Sequence, residues 1–135
     1  FTFAASAERY EFGTVSTPLF VGLGAAMRFL LDIGPRRIWE RNRSMADTLM
    51  EGLAAAGAEV LSPRHPDEHG AMVTFKSDRI PADQLQAVLA ERYLLRTRKI
   101  YEGGLDAVRV SLHLYNSPEE VERVRRAVRE VLARS

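Results

Sequence analysis

The sequence predicts an α+β domain: a small, mainly antiparallel sheet with helices packed on one face, preceded by a helical hairpin. Three stretches carry that expectation. From Ala107 to Asn116, Val108, Val110, Leu112 and Leu114 alternate with Arg109, Ser111, His113 and Tyr115, the period-two pattern of a strand buried on one face. Directly after it, Ser117 can cap a helix, Pro118 suits the first helical position and Glu120 completes a capping box. Val121, Val124, Val128, Val131 and Leu132 then form one apolar ridge, with Glu122, Arg123, Arg125, Arg126 and Glu130 outside it. Near the other end, two segments of helical periodicity meet at Gly34-Pro35.

The elements follow in order. Phe1 to Thr17 is mixed and turn-prone around Gly13-Thr14, so it reads as a loop feeding a helix that Pro18 opens. Leu19, Val21, Leu23, Ala26, Phe29, Leu30 and Ile33 recur at near-helical spacing, and Gly22 and Gly24 leave room for another backbone. A second helix runs from about Arg36 to Ala56 on an apolar stripe of Ile38, Met45, Leu49 and Leu53, and Gly57 closes it. Glu59-Val60-Leu61 is a short strand, Ser62 to Gly70 a polar loop, and Ala71 to Phe75 the next strand. Pro81-Ala82-Asp83 opens a helix that turns Leu85, Val88 and Leu89 inward and ends near Tyr93. Leu94 to Ile100 is β-like but basic, and Tyr101-Glu102-Gly103-Gly104 turns the chain back antiparallel into the Arg109 strand.

Composition narrows the function. A chain of 135 residues is the size of one compact domain able to bury a real core. Its formal net charge of +1 provides no bulk field for nucleic acid or an anionic membrane. The absence of cysteine removes disulfides, thiolate metal sites and thiol nucleophiles together, and it fits a reducing cytoplasm. No apolar run approaches a membrane span, and Phe1-Thr2-Phe3-Ala4-Ala5-Ser6 lacks the form of a signal peptide. A start without methionine is compatible with a cut from a longer chain.

Several groups carry chemistry by residue type. Arg109, alone on the polar face of its strand, is either a surface ion-pair partner or a planar fork for a carboxylate. His113 shares that polar face and is a weaker candidate for the same ligand. His65, Asp67, Glu68 and His69 have metal-binding side chains, but Pro66 interrupts them and a solvated loop is the expectation, with no metal site. Gly22-x-Gly24 is no dinucleotide fingerprint, because no strand precedes it and Met27 holds the sixth position. Arg96, Arg98 and Lys99 lack the interleaved aromatics of a nucleic-acid surface.

A lone strand arginine followed by Tyr115-Asn116-Ser117-Pro118-Glu119-Glu120 and an amphipathic helix resembles the C-terminal domain of class V aminotransferases. These are fold-type I pyridoxal-phosphate (PLP) enzymes that include cysteine desulfurases and isopenicillin N epimerase-like enzymes. Arg9-Tyr10-Glu11-Phe12-Gly13-Thr14, before the helix Val21-Gly22-Leu23-Gly24-Ala25-Ala26, is similar to a second family segment, so the likeness covers nearly the whole chain. The resemblance implies residues 1–17 as an interdomain segment and 18–135 as the small domain of a cytoplasmic homodimer, with the large PLP-binding domain and an amino-acid substrate as partners. It implies that Arg109 grips the substrate α-carboxylate and that Arg98 assists with a substrate group. It also implies that Thr14, with the Gly13 backbone, reaches the phosphate of PLP in the other subunit.

The chain departs from the family pattern in two places. No His-Lys pair exists to hold PLP as a Schiff base, since Lys76 ends a strand and Lys99 lies in a basic one. No cysteine stands in the Tyr101–Asp106 loop, which excludes a persulfide step carried by these residues. Transamination, epimerisation or carbon–sulfur lyase chemistry on an amino acid is then expected of the intact protein, and inactivity of this segment alone. The rival expectation is a non-enzymatic α+β domain that binds a small ligand or partner through its open sheet face.

Overall fold

In the computed structural model, the described residues are 2–10, 13–14, 16–65 and 67–135. They form two compact units, Phe1–Pro35 and Arg36–Ser135. The first holds a short 3-10 helix, Ala7–Tyr10, and helix α1, Thr17–Ile33. None of the residues of α1 is buried, although its sequence is mostly apolar. A Cβ on Gly22 would meet nothing, and one on Gly24 only the side chain of Arg28 in the next turn, so the close backbone approach expected at these glycines is not made within this unit. Gly34 ends α1 at φ +99°, a value open to glycine, and its N–H bonds the Leu30 carbonyl.

The second unit contains helices α2 (Pro35–Ala55), α3 (Ala82–Tyr93) and α4 (Pro118–Leu132) and strands β1 (Glu59–Val60), β2 (Met72–Lys76), β3 (Arg98–Ile100) and β4 (Ala107–Ser111). The expected hairpin of helices thus divides between units, α1 in one and nearly all of α2 in the other. The sheet has the order β1-β2-β4-β3, every neighbouring pair antiparallel. Register places Val73 opposite Val110 and Phe75 opposite Val108, so these four side chains share one face. Met45, Leu49 and Leu53 of α2, Leu85 and Leu89 of α3, and Val121, Val128 and Leu132 of α4 join them in one core cluster. The other face of the sheet carries Met72, Thr74, Arg98 and Arg109.

The helix boundaries follow their local chemistry. Ser117 accepts from the Glu120 N–H while Glu120 accepts from the Ser117 N–H, the reciprocal cap the sequence contains. Gly57, at φ +85°, turns the chain out of α2 into β1.

Three expectations are corrected. Leu94 to Ile100 is a strand only from Arg98 on, because Leu94 adopts a left-handed conformation (φ +55°) that caps α3 and interrupts any ladder. β4 stops at Ser111 rather than continuing to Tyr115. There the Asn116 side chain accepts the His113 N–H at 2.8 Å, the Asn116 N–H bonds the His113 carbonyl at 2.9 Å, and Arg41 of α2 donates to the Asn116 carbonyl. The polar loop is not solvated throughout, since His69 is buried and held to α2 by a 2.8 Å contact from Nε2 to Asp47.

Candidate carboxylate-binding site

Arg109 is the central residue of β4, which is paired with β2 on one side and β3 on the other. Its Cα partners are Thr74 on β2 and Arg98 on β3, so one row across the open face reads Thr74, Arg109, Arg98. Arg109 is half-buried. Its Nε is buried without a hydrogen-bond partner, and among the described residues Arg109 makes no salt bridge. An unmatched buried donor is costly. Among the described residues the surface ion pair weighed from the sequence is not formed.

Arg98 differs. Its guanidinium is paired with the Glu102 carboxylate, whose other oxygen accepts the Tyr101 N–H at 3.1 Å. The backbone N–H groups of Glu102 and Tyr101, and then the charges of Arg98 and Arg109, hold the Glu102 carboxyl below the ordinary range. Glu102 therefore stays ionised and neutralises Arg98. Arg109 feels that charge without touching it.

Arg109 forms one wall of an open hollow of about 400 Å³. Leu61, Pro63, Met72, Ile100 and Leu105 supply its carbon surface, and Ser62 and Thr74 its hydroxyls. The Ser62 hydroxyl is committed internally, accepting from the Thr74 N–H at 2.9 Å and donating to the Met72 carbonyl. Among the described residues, the polar lining side chains with no internal hydrogen-bond partner are Arg109 and Thr74. That arrangement suits a carboxylate attached to an apolar body.

The other residues singled out from the sequence lie elsewhere. His113 is beyond the end of β4, exposed and stacked on Tyr115 with centroids 4.9 Å apart, and it does not line the hollow. Gly13 and Thr14 belong to the first unit, with Gly13 at φ +91° and Thr14 exposed, while Glu11 and Phe12 of the same motif lie outside the described residues. Lys76 pairs with Glu59 at 3.2 Å and Lys99 with Asp106 at 3.9 Å, cross-strand and turn contacts of the sheet. Among the described residues no three metal-binding side chains converge, and no single helix is long and apolar enough to cross a membrane. Sequence reasoning missed Thr74 and Met72. The alternation of Ala71 to Phe75 held the signal, because it sets them opposite Val73 and Phe75 on the face of Arg109.

The description of the class V aminotransferases matches residues 1–124 of this chain. The chain belongs to the class V aminotransferase family. It is 30% identical over 124 residues to a probable cysteine desulfurase of Pyrococcus abyssi, covering 85% of this chain and 31% of that protein. It is 31% identical over 124 residues to the isopenicillin N epimerase of Amycolatopsis lactamdurans, covering 88% of this chain and 30% of that protein. The apo cysteine desulfurase of Thermococcus onnurineus superposes with a TM-score of 0.86 at 26% identity, over 100% of this chain and 36% of that one. The chain thus spans about a third of the length of the relatives it matches. Class V aminotransferases use PLP.

Proposed function

We propose that this chain is the small domain of a PLP-dependent class V enzyme acting on an amino acid, and that Arg109 binds the substrate α-carboxylate. The placement of Arg109 on the wall of an open hollow, with no acidic partner among the described residues, carries the reading. A guanidinium fork places two parallel bonds on a carboxylate, which fixes the orientation of the adjacent α-carbon as well as attracting the ion. The cofactor, when bound, supplies the electron sink for bond breaking at that carbon. Orientation is this chain's contribution.

The residues present fit only part of a cofactor site. Lys76 and Lys99 are both engaged in ion pairs on the sheet, so neither serves as the Schiff-base lysine, which the large domain of the intact, cytoplasmic homodimer provides. Thr14 and the Gly13 backbone are assigned to the phosphate, across the dimer. Arg98 stands beside the substrate with its charge held by Glu102, and His113 is given the more distant supporting role. No cysteine is available here as a sulfur carrier. Transamination, epimerisation or carbon–sulfur elimination remain the reaction classes of the whole protein, and the segment alone is inactive.

Substitution of Arg109 in the intact enzyme tests this. Arg109→Ala should leave the cofactor's absorption spectrum unchanged and weaken amino-acid binding by about 2 to 4 kcal/mol, a factor of tens to hundreds. Arg109→Lys should restore part of the loss, since a point charge keeps attraction and loses the fork. Thr14→Val should instead loosen PLP. Parental amino-acid affinity in Arg109→Ala would refute the assignment.

A further inference from the structure

We infer that the hollow around Arg109 selects substrates with an apolar side chain over those carrying a second carboxylate, an inference that rests on the carboxylate role of Arg109. One end of the hollow is cationic and the rest is carbon. Met72 and Leu105 are exposed by 55% and 43%, and with the half-buried Ile100 and Leu61 they present apolar surface to the hollow. Covering such surface is favourable in proportion to its area. With its α-carboxylate on Arg109, an amino acid of leucine or methionine size lays its side chain on this wall.

The polar inventory argues against a dicarboxylic substrate. The Ser62 hydroxyl is satisfied within the protein, and Arg98, the cation opposite Arg109 in the sheet, is paired with Glu102. A second carboxylate would meet the carbon of Leu61, Pro63, Met72, Ile100 and Leu105. It would lose water without gaining a partner. Specificity here follows from the absence of a free second cation among the described residues lining the hollow.

The test uses the isotopically labelled 135-residue chain and carboxylates lacking the amino group, so that no cofactor is needed. Propanoate, 4-methylpentanoate and succinate are titrated while backbone amide shifts of Thr74 and Arg109 are followed. Expected is 4-methylpentanoate binding roughly tenfold more tightly than propanoate, a fraction of the full gain for burying the added carbons because the hollow is open. Succinate should bind more weakly than 4-methylpentanoate. Met72→Ser and Leu105→Ser, at exposed positions that do not build the core, should shrink the preference toward unity. Arg109→Ala should abolish binding of all three acids.

The outcomes separate the two claims. Binding that needs Arg109 but is equal across the acids, or best for succinate, overturns the apolar preference and leaves the carboxylate role standing; the apolar wall then packs against another part of the protein. Binding indifferent to Arg109, or none by any acid, overturns both.

Discussion

A single buried atom does most to distinguish the arginines of the sheet. Arg98 and Arg109 are opposite each other, yet one is neutralised by Glu102 and the other keeps an unmatched Nε. The sequence shows Arg109 on a polar strand face but not which arginine is left free, because that depends on where the Glu102 turn folds back. His69 teaches the same lesson. Its spacing from His65 and Asp67 raised metal chemistry and a solvated loop, whereas the ring is buried, with Nδ1 on the His65 carbonyl at 2.9 Å and Nε2 on Asp47 at 2.8 Å. The Asp47 partner lies 22 residues away on a helix, beyond any local pattern. His69→Ala removes both contacts and leaves a cavity, and it should destabilise the fold by about 1 to 3 kcal/mol in urea unfolding. An unchanged midpoint would show that the loop is held by something else.

At the scale of elements, helix α4 was legible in full because its signals are local: the cap, the proline and the apolar ridge all lie within it. Strand ends were less legible. Both the late start of β3 and the early stop of β4 come from backbone turns, at Leu94 and at His113–Asn116, that the alternation of side chains does not encode. The cap makes a pH prediction. The Ser117 N–H, then the Asn116 amide, hold the Glu120 carboxyl below its ordinary 4.5. A carboxyl with a folded pKa below its unfolded one stabilises fully above the unfolded value and loses that contribution as pH falls through the folded one. Glu120→Gln should therefore be less stable than the parent at neutral pH, with the gap closing as pH falls below 4.5 through the lowered folded pKa. Urea midpoints across that range check it, and a gap independent of pH would assign the cap's effect to geometry alone.

The whole molecule shows where sequence patterns stop predicting burial. The periodicity of α1 is as helical as that of α2, and a helix forms at both, yet α2 buries seven residues, from Asn42 to Leu53, and α1 none. Periodicity reports which side of a helix can be covered, not what covers it. The core cluster lies wholly within residues 45–132, and the hollow beside Arg109 is lined entirely from the same unit. A fragment comprising residues 36–135 should therefore unfold cooperatively at the urea midpoint of the full chain. It should also retain propanoate binding that Arg109→Ala abolishes, because every side chain of that hollow is still present. It should be less prone to associate, since the exposed apolar surface of Leu19, Phe20, Leu23 and Phe29 is gone. Sedimentation with and without residues 1–35 measures the last effect. Loss of cooperative unfolding in the fragment would mean that the core depends on the first unit, and that the sheet with its arginine row cannot be treated as a binding module in its own right.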